Sequence, residues 1–128
     1  MTLRIVQLGS PRQRGEGLRI GTVRRPPRGV PKSRYSSDDW YDVWLPELAP
    51  SAAAVKRALA AETPAQWQAF VKGYRREMSQ PDKVRLLKLL AALSQDANLS
   101  VGCYCEDESR CHRSVLRQLL KNHGAKLG

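Results

Sequence analysis

Residues 99–120 read Leu99-Ser-Val-Gly-Cys103-Tyr-Cys105-Glu-Asp-Glu-Ser-Arg110-Cys111-His112-Arg113-Ser-Val-Leu-Arg-Gln-Leu-Leu120. The apolar run from Leu99 to Tyr104, closed by an acidic stretch, predicts a strand. From Cys111 onward Val115, Leu116, Leu119 and Leu120 recur at helical spacing, and Gly124 supplies a C-cap, so a helix is predicted from Cys111 to His123. Strand, loop, helix is the unit that places ligands at the carboxyl edge of a strand in α/β proteins. Alternation along the strand puts Cys103 and Cys105 on one face with Val101 and turns Tyr104 the other way. On the helix, Cys111, Val115 and Leu119 form one row and His112, Leu116 and Leu120 the next, both expected to face inward. Arg113, Arg117 and Lys121 form a third row, expected to face solvent.

Working outward, three helices are expected before this unit. Ser51 is a good N-cap for an alanine-rich run from Ala52 to Ala61. Thr63-Pro64-Ala65-Gln66 has capping-box spacing with Pro at the first helical position, and opens a helix in which Trp67, Phe70, Val71, Tyr74 and Met78 share a face. That stripe reads as core. Pro81 starts a third helix whose apolar positions, Val84, Leu86, Leu87, Leu89, Leu90 and Leu93, are numerous enough to predict near-complete burial. Nearer the N-terminus, Leu3 to Leu8 and Leu18 to Val23 read as strands. Arg12 to Gly17 reads as an exposed loop, and the stretch from Arg24 to Asp42 as irregular. Tyr35, Trp40, Tyr41 and Trp44 are expected to anchor that region by burial. Two strands separated from a third by helices give a small single α/β domain over residues 1–128, with a short mixed or parallel sheet and about four helices.

The 128 residues carry 22 Lys plus Arg against 12 Asp plus Glu, a net charge of +10. That excess suggests an anionic partner, yet it is unevenly spread. The first 34 residues hold nine basic residues and one acid, Glu16, whereas the remaining 94 hold 13 and 11. The surplus lies in loops rich in Gly and Pro over residues 9–34, and Arg12, Arg14, Arg24 and Arg25 there are the basis for a nucleic-acid-binding alternative. No apolar run is long enough to span a bilayer and no signal-peptide core opens the chain, so a cytoplasmic protein without membrane partners is expected.

All three cysteines lie within nine positions, which points to a local site rather than a disulfide framework. Four readings of the cluster stand together. The helix start, with Arg110 or Arg113 and His112, is suited to an anion. A thiolate of Cys105 or Cys111, activated by the helix end and His112, is suited to nucleophilic catalysis, with His112 as acid/base. Neither Cys103 nor Cys105 is followed by Arg after five residues, as a phosphatase loop starting there would need, and Glu106, Asp107 and Glu108 would oppose a phosphate. Zinc is the third reading, because Cys103, Cys105, Cys111 and His112 are the right ligands in type and number. Against it, the spacing is C-x-C-x5-C-H, and adjacent Cys111 and His112 do not easily reach one ion from a helix. The fourth reading makes the cysteines small hydrophobes and His112 a local cap, with no cofactor at all.

Several landmarks occur in order: Arg19 and Arg24 ahead of Pro27-Arg28-Gly29-Val30, then Trp44, then Leu48-Ala49-Pro50-Ser51, then Trp67-Gln-Ala-Phe70 with Tyr74 and Glu77, then Cys103-Tyr-Cys105-Glu106 and Cys111-His112-Arg113. In these the chain resembles the YeaO-like family of small bacterial proteins, domain of unknown function 488, over about Leu18 to Leu120. Around Cys103 to Arg113 it is similar to a Cys-rich branch of that family. The resemblance implies an α/β domain. It also suggests that Pro27-Arg28-Gly29 and Cys111-His112-Arg113 meet at one pocket, where Arg24, Arg28 and Arg113 would contact an anionic or nucleotide-like small molecule. The structural alternative pairs Arg28 with Asp39, Asp42 or Glu106 to hold a loop.

Overall fold

Short apolar runs become the strands. In the computed structural model, which describes residues 1–128, β1 (Leu3–Gln7), β2 (Leu18–Gly21), β3 (Val43–Trp44) and β4 (Leu99–Cys103) form one sheet in the order β1-β4-β2-β3. Every pairing is parallel. The strand last in sequence is therefore central: Leu99 lies between Leu3 and Leu18, and Val101 between Ile5 and Ile20. All five residues of β4 are buried, as a parallel strand covered on both faces requires.

The helices are α1 (Ala52–Ala60), α2 (Pro64–Glu77), α3 (Pro81–Asp96) and α4 (His112–Asn122). Their starts follow the expected capping chemistry. The Ser51 hydroxyl accepts from the Ala54 N–H, and Thr63 and Gln66 close a reciprocal capping box. All four pack on one face of the sheet in a core that joins Leu3, Ile20, Leu99 and Val101 to Phe70, Tyr74, Leu87 and Leu116. Each such side chain contributes about 1.5–3 kcal/mol by leaving water. None of the helices is long and apolar enough to cross a membrane.

Loops cover the opposite face, and here several expectations are corrected. Arg19 in β2 is 0% exposed, while its neighbour Leu18 is 47% exposed. Alternation correctly separated the two, but the face carrying Arg19 is the one sealed by loops. Its guanidinium donates to both oxygens of Glu16 at 2.8 and 3.0 Å and to the carbonyls of Ser10 and Asp39 at 2.8 and 2.7 Å. Ser100 of β4 donates a further bond to Glu16. Residues 12–17 are thus not an exposed loop throughout: Glu16 is buried inside it. Gly17, at φ +80°, lets the loop turn against Asn98, whose carbonyl oxygen would lie 1.9 Å from an added Cβ.

The third helix is not buried all round, since Leu89 and Leu93 face solvent. Trp44, expected to anchor by burial, is 42% exposed and forms β3 beside β2, its indole N–H donating to the Val23 carbonyl at 2.7 Å. Tyr41 is buried as expected, and Tyr35 and Trp40 pack against its cluster. At the other edge of the sheet the chain tail runs alongside β1: Leu127 bridges Leu3 in parallel, with Leu3 N–H donating to Lys126 and Gly128 N–H to Leu3.

Candidate functional site

The cysteine cluster forms where β4 ends at its carboxyl edge. Beyond Cys103 the chain passes through Tyr104 and Cys105, makes a short turn at Glu108–Arg110 and enters α4 at His112. This brings the Cys103 and Cys105 sulfurs to 3.8 Å of each other, and the Cys111 sulfur to 3.8 Å from His112 Nδ1. The ligand atoms of Cys103, Cys111 and His112 all lie within 4.8 Å of one another. The expected obstacle to Cys111 and His112 converging is absent. Cys111 precedes the helix with extended backbone (φ −132°, ψ 152°), so its side chain is free of helical geometry and turns toward the imidazole. All three cysteines are free thiols; Cys103 and Cys111 are buried and Cys105 is exposed.

His112 is held on three sides. Its Nε2 lies 2.8 Å from the Thr22 carbonyl oxygen, just past β2. A carbonyl only accepts, so Nε2 carries a hydrogen, and the Nδ1 edge of the ring faces Cys111. The ring meets Tyr74 edge to face at 5.5 Å, and the Tyr74 hydroxyl donates to the Leu48 carbonyl at 2.6 Å. Thr22 and Tyr74 carry no chemical signal in the sequence, because a carbonyl can belong to any residue and an aromatic on a helical stripe reads as core.

Arg113 departs from expectation. It is 3% exposed, not solvent-facing, since the first turn of α4 tucks against the loop that follows β4. One Nη donates to the Cys105 carbonyl, Nε has no partner, and no carboxylate forms an ion pair with it. The acids of that loop are engaged elsewhere: Glu108 pairs with Arg117 at 2.6 Å and Asp107 accepts from Ser109.

Protons are unequally shared among the thiols. Hydrogen bonds from Cys103 and then Cys111, aided by the charge of Arg113, pull the Cys105 thiol down to about 3 against the opposing effect of burial. Cys103 is pushed well up, first by its bond to Cys105 and then by Cys111 and burial. Cys111 is lowered, chiefly by Cys103 and also by His112. The arrangement therefore favours a thiolate on the exposed sulfur, with a protonated Cys103 behind it.

Above the cluster opens a cavity of about 510 Å³, with Cys103, Cys105, Cys111 and His112 on its floor. Trp67 and Phe70 of α2 form an apolar wall, and Arg25, Lys56 and Arg110 bring positive charge; the Arg110 guanidinium sits 5.2 Å over the Trp67 ring. Arg24 also lines it, but its Nε donates to the Pro50 carbonyl and one Nη to those of Pro46 and Ala49, so it clamps the approach to α1.

The expected single pocket for Arg28 and His112 does not form. Arg28 lines a second cavity of about 640 Å³ next to the first. The two share Arg25 and Tyr104. Nor does Arg28 pair with Asp39 or Asp42, because Arg12 does so, at 3.2 and 2.8 Å. Arg12, expected to meet a polyanion, is thereby neutralised.

A family model described as "Active DUF488-N3 subclade" (DUF488-N3a) matches residues 3–124. No curated protein and no solved structure matches the chain. The chain belongs to the DUF488 family.

Proposed function

We propose that this DUF488-family protein is an enzyme that holds an anionic, nucleotide-like ligand in the cavity at the carboxyl edge of β4 and attacks it with the Cys105 thiolate. The observation that carries this reading is Arg113, a buried guanidinium without a carboxylate partner beside an exposed cysteine. The charge of Arg113 is felt by Asp107 and Glu108, but neither is bonded to it; burying a charge without a bonded counter-ion costs several kcal/mol, which a thiolate at Cys105 offsets. The word "active" in the family's description supports an enzyme over a binding module.

In this reading Arg25, Lys56 and Arg110 attract the anion, Trp67 and Phe70 accept a planar ring, and Arg113 serves the nucleophile rather than the ligand. The Cys105 sulfur gives its electron pair to an electrophilic carbon or phosphorus of the ligand. The leaving group departs with the bonding pair and takes the proton shared by Cys111 and His112. Water then adds to the ligand, the sulfur recovers its pair, and the proton of water returns to Cys111 and His112.

Calorimetric titration with each nucleoside 5′-monophosphate, alongside mass-spectrometric timing of iodoacetamide alkylation at Cys105, tests the reading. Binding of at least one, with slowed alkylation of Cys105, is expected; Cys105→Ser should keep binding. Absence of binding and of protection for all of them overturns it.

Convergence of Cys103, Cys111 and His112 within 4.8 Å favours a second reading, a zinc site. The Nε2–H donated to a backbone carbonyl is the arrangement that orients metal-bound histidines, and Cys105 would complete four ligands. Elemental analysis of protein purified without metal-affinity resin or chelator decides it: close to one zinc per chain supports this reading, and a content near zero removes it.

A further inference from the structure

We infer that the second cavity, around Arg28, is a subsite for the neighbouring unit of a single-stranded nucleic acid, so that the ligand of the cysteine site is a strand and not a free mononucleotide. The inference rests on the reading of the first cavity as a nucleotide site.

Continuity is the first argument. Cavities of about 640 and 510 Å³ lie side by side at the carboxyl edge of the sheet and share Arg25 and Tyr104 as common walls. A ligand filling one and leaving it in this direction enters the other. Charge is the second. No acidic residue lines either cavity. Arg25 and Arg28 are exposed and in no ion pair, because the acids of the loop beyond, Asp39 and Asp42, are held by Arg12. Exposed guanidiniums at the junction and in the second cavity suit successive phosphates.

Shape is the third. Trp40 and Tyr104 stand edge to face, ring centroids 5.8 Å apart, in the wall of the second cavity. Both are fixed before any ligand arrives. Trp40 sits against Gly9, at φ +90°, where an added Cβ would come within 2.8 Å of the indole. Tyr104 donates from its hydroxyl to the Arg25 carbonyl and accepts at its own carbonyl from Gln7. Rigid aromatic walls beside unpaired arginines are the elements with which proteins take single strands, a base against a ring and a phosphate against a cation. A mononucleotide would leave this second set unused, and an acidic peptide would satisfy the arginines without using the flat walls.

Fluorescence anisotropy with labelled ten-residue oligothymidylate and oligouridylate, and competition by TMP and UMP, tests the inference. The oligomer is expected to bind at least about tenfold more tightly than its monophosphate. Arg28→Ala should weaken the oligomer by about fivefold, leave the monophosphate unchanged and reduce the slope of log affinity against log salt by about 0.7. Arg14→Ala, on an exposed residue lining neither cavity, is the control for diffuse charge. Both substitutions lie on exposed side chains, and unchanged circular dichroism verifies folding. Equal affinity of oligomer and monophosphate, or equal losses for Arg28→Ala and Arg14→Ala, overturns the inference while leaving the nucleotide site standing. Failure of every monophosphate and both oligomers to bind overturns the two together.

Discussion

Arg19 and Arg113 are both buried guanidiniums, and they differ in what balances them. Arg19 has the Glu16 carboxylate at 2.8 Å and two backbone carbonyls. Replacing it by Ala strands that carboxylate, so Arg19→Ala is expected to cost about 3–5 kcal/mol in urea unfolding. The pair Arg19→Met with Glu16→Leu should recover much of the loss, because an apolar pair leaves no charge behind. Arg113 has no carboxylate bonded to it: it donates to the Cys105 carbonyl and lies close enough for its charge to lower the Cys105 thiol. With Cys105 near 3, its alkylation rate should stay flat from about pH 5 to 8, where an ordinary thiol slows about tenfold per pH unit. Cys103→Ala removes the largest contribution to that lowering, and the fall in rate should then appear at higher pH.

At the scale of elements, local chemistry was legible where one segment decides its own conformation. The Thr63 capping box is such a case, and Thr63→Ala should cost about 1 kcal/mol by thermal unfolding. The strand and helix around the cysteines were readable for the same reason, but the meeting of Cys111 with His112 was not: it depends on Cys111 standing just outside α4 in extended backbone, which helical spacing does not foresee. What periodicity cannot state is which surface each face will meet. Nothing local to β2 shows that Arg19 is buried, because the groups that cover it come from loops over residues 9–17 and 35–42. Leu89 and Leu93 looked like core because apolar positions exceed what one helix contact can cover. Val43 and Trp44 are too short a strand to show a period. Arg28 and His112 belong to adjacent cavities because Tyr104, which alternation turned away from the cysteines, stands between them. Gly17 is the position where the loop's closure is most exacting. Gly17→Ala should lower the melting temperature more than Gly29→Ala, since both have positive φ but only Gly17 also faces a backbone clash.

For the molecule as a whole, the net charge of +10 proves a poor guide until each arginine's partner is known. Arg12 and Arg19 are spent inside the loop layer; Arg25 and Arg28 remain free at the sheet's carboxyl edge, where the helical layer and the loop layer meet. The loop layer is also where acid should act first. Burial raises the Asp42 carboxyl, but bonds from Arg12, the Arg19 N–H and Ser36 outweigh this and bring it from 3.8 to about 2. A carboxyl lowered by folding stabilises above its ordinary value and loses that contribution as pH falls through the folded one. Stability should therefore decline between about pH 4 and 2, and Asp42→Asn should flatten that decline in a series of urea midpoints measured against pH.

The tail beside β1 has a consequence for handling the protein. A parallel sheet has two edges, and each unpaired edge invites another chain to add a strand. One edge is β3, too short to template much pairing. The other is β1, where Lys126 and Gly128 occupy the backbone groups of Leu3. Removing residues 125–128 frees the backbone groups of Leu3 at the start of that edge, so the shortened protein should self-associate more than the intact chain in concentration-dependent light scattering. Residues 126–128 are thus a strand-blocking strap at the first residue of β1.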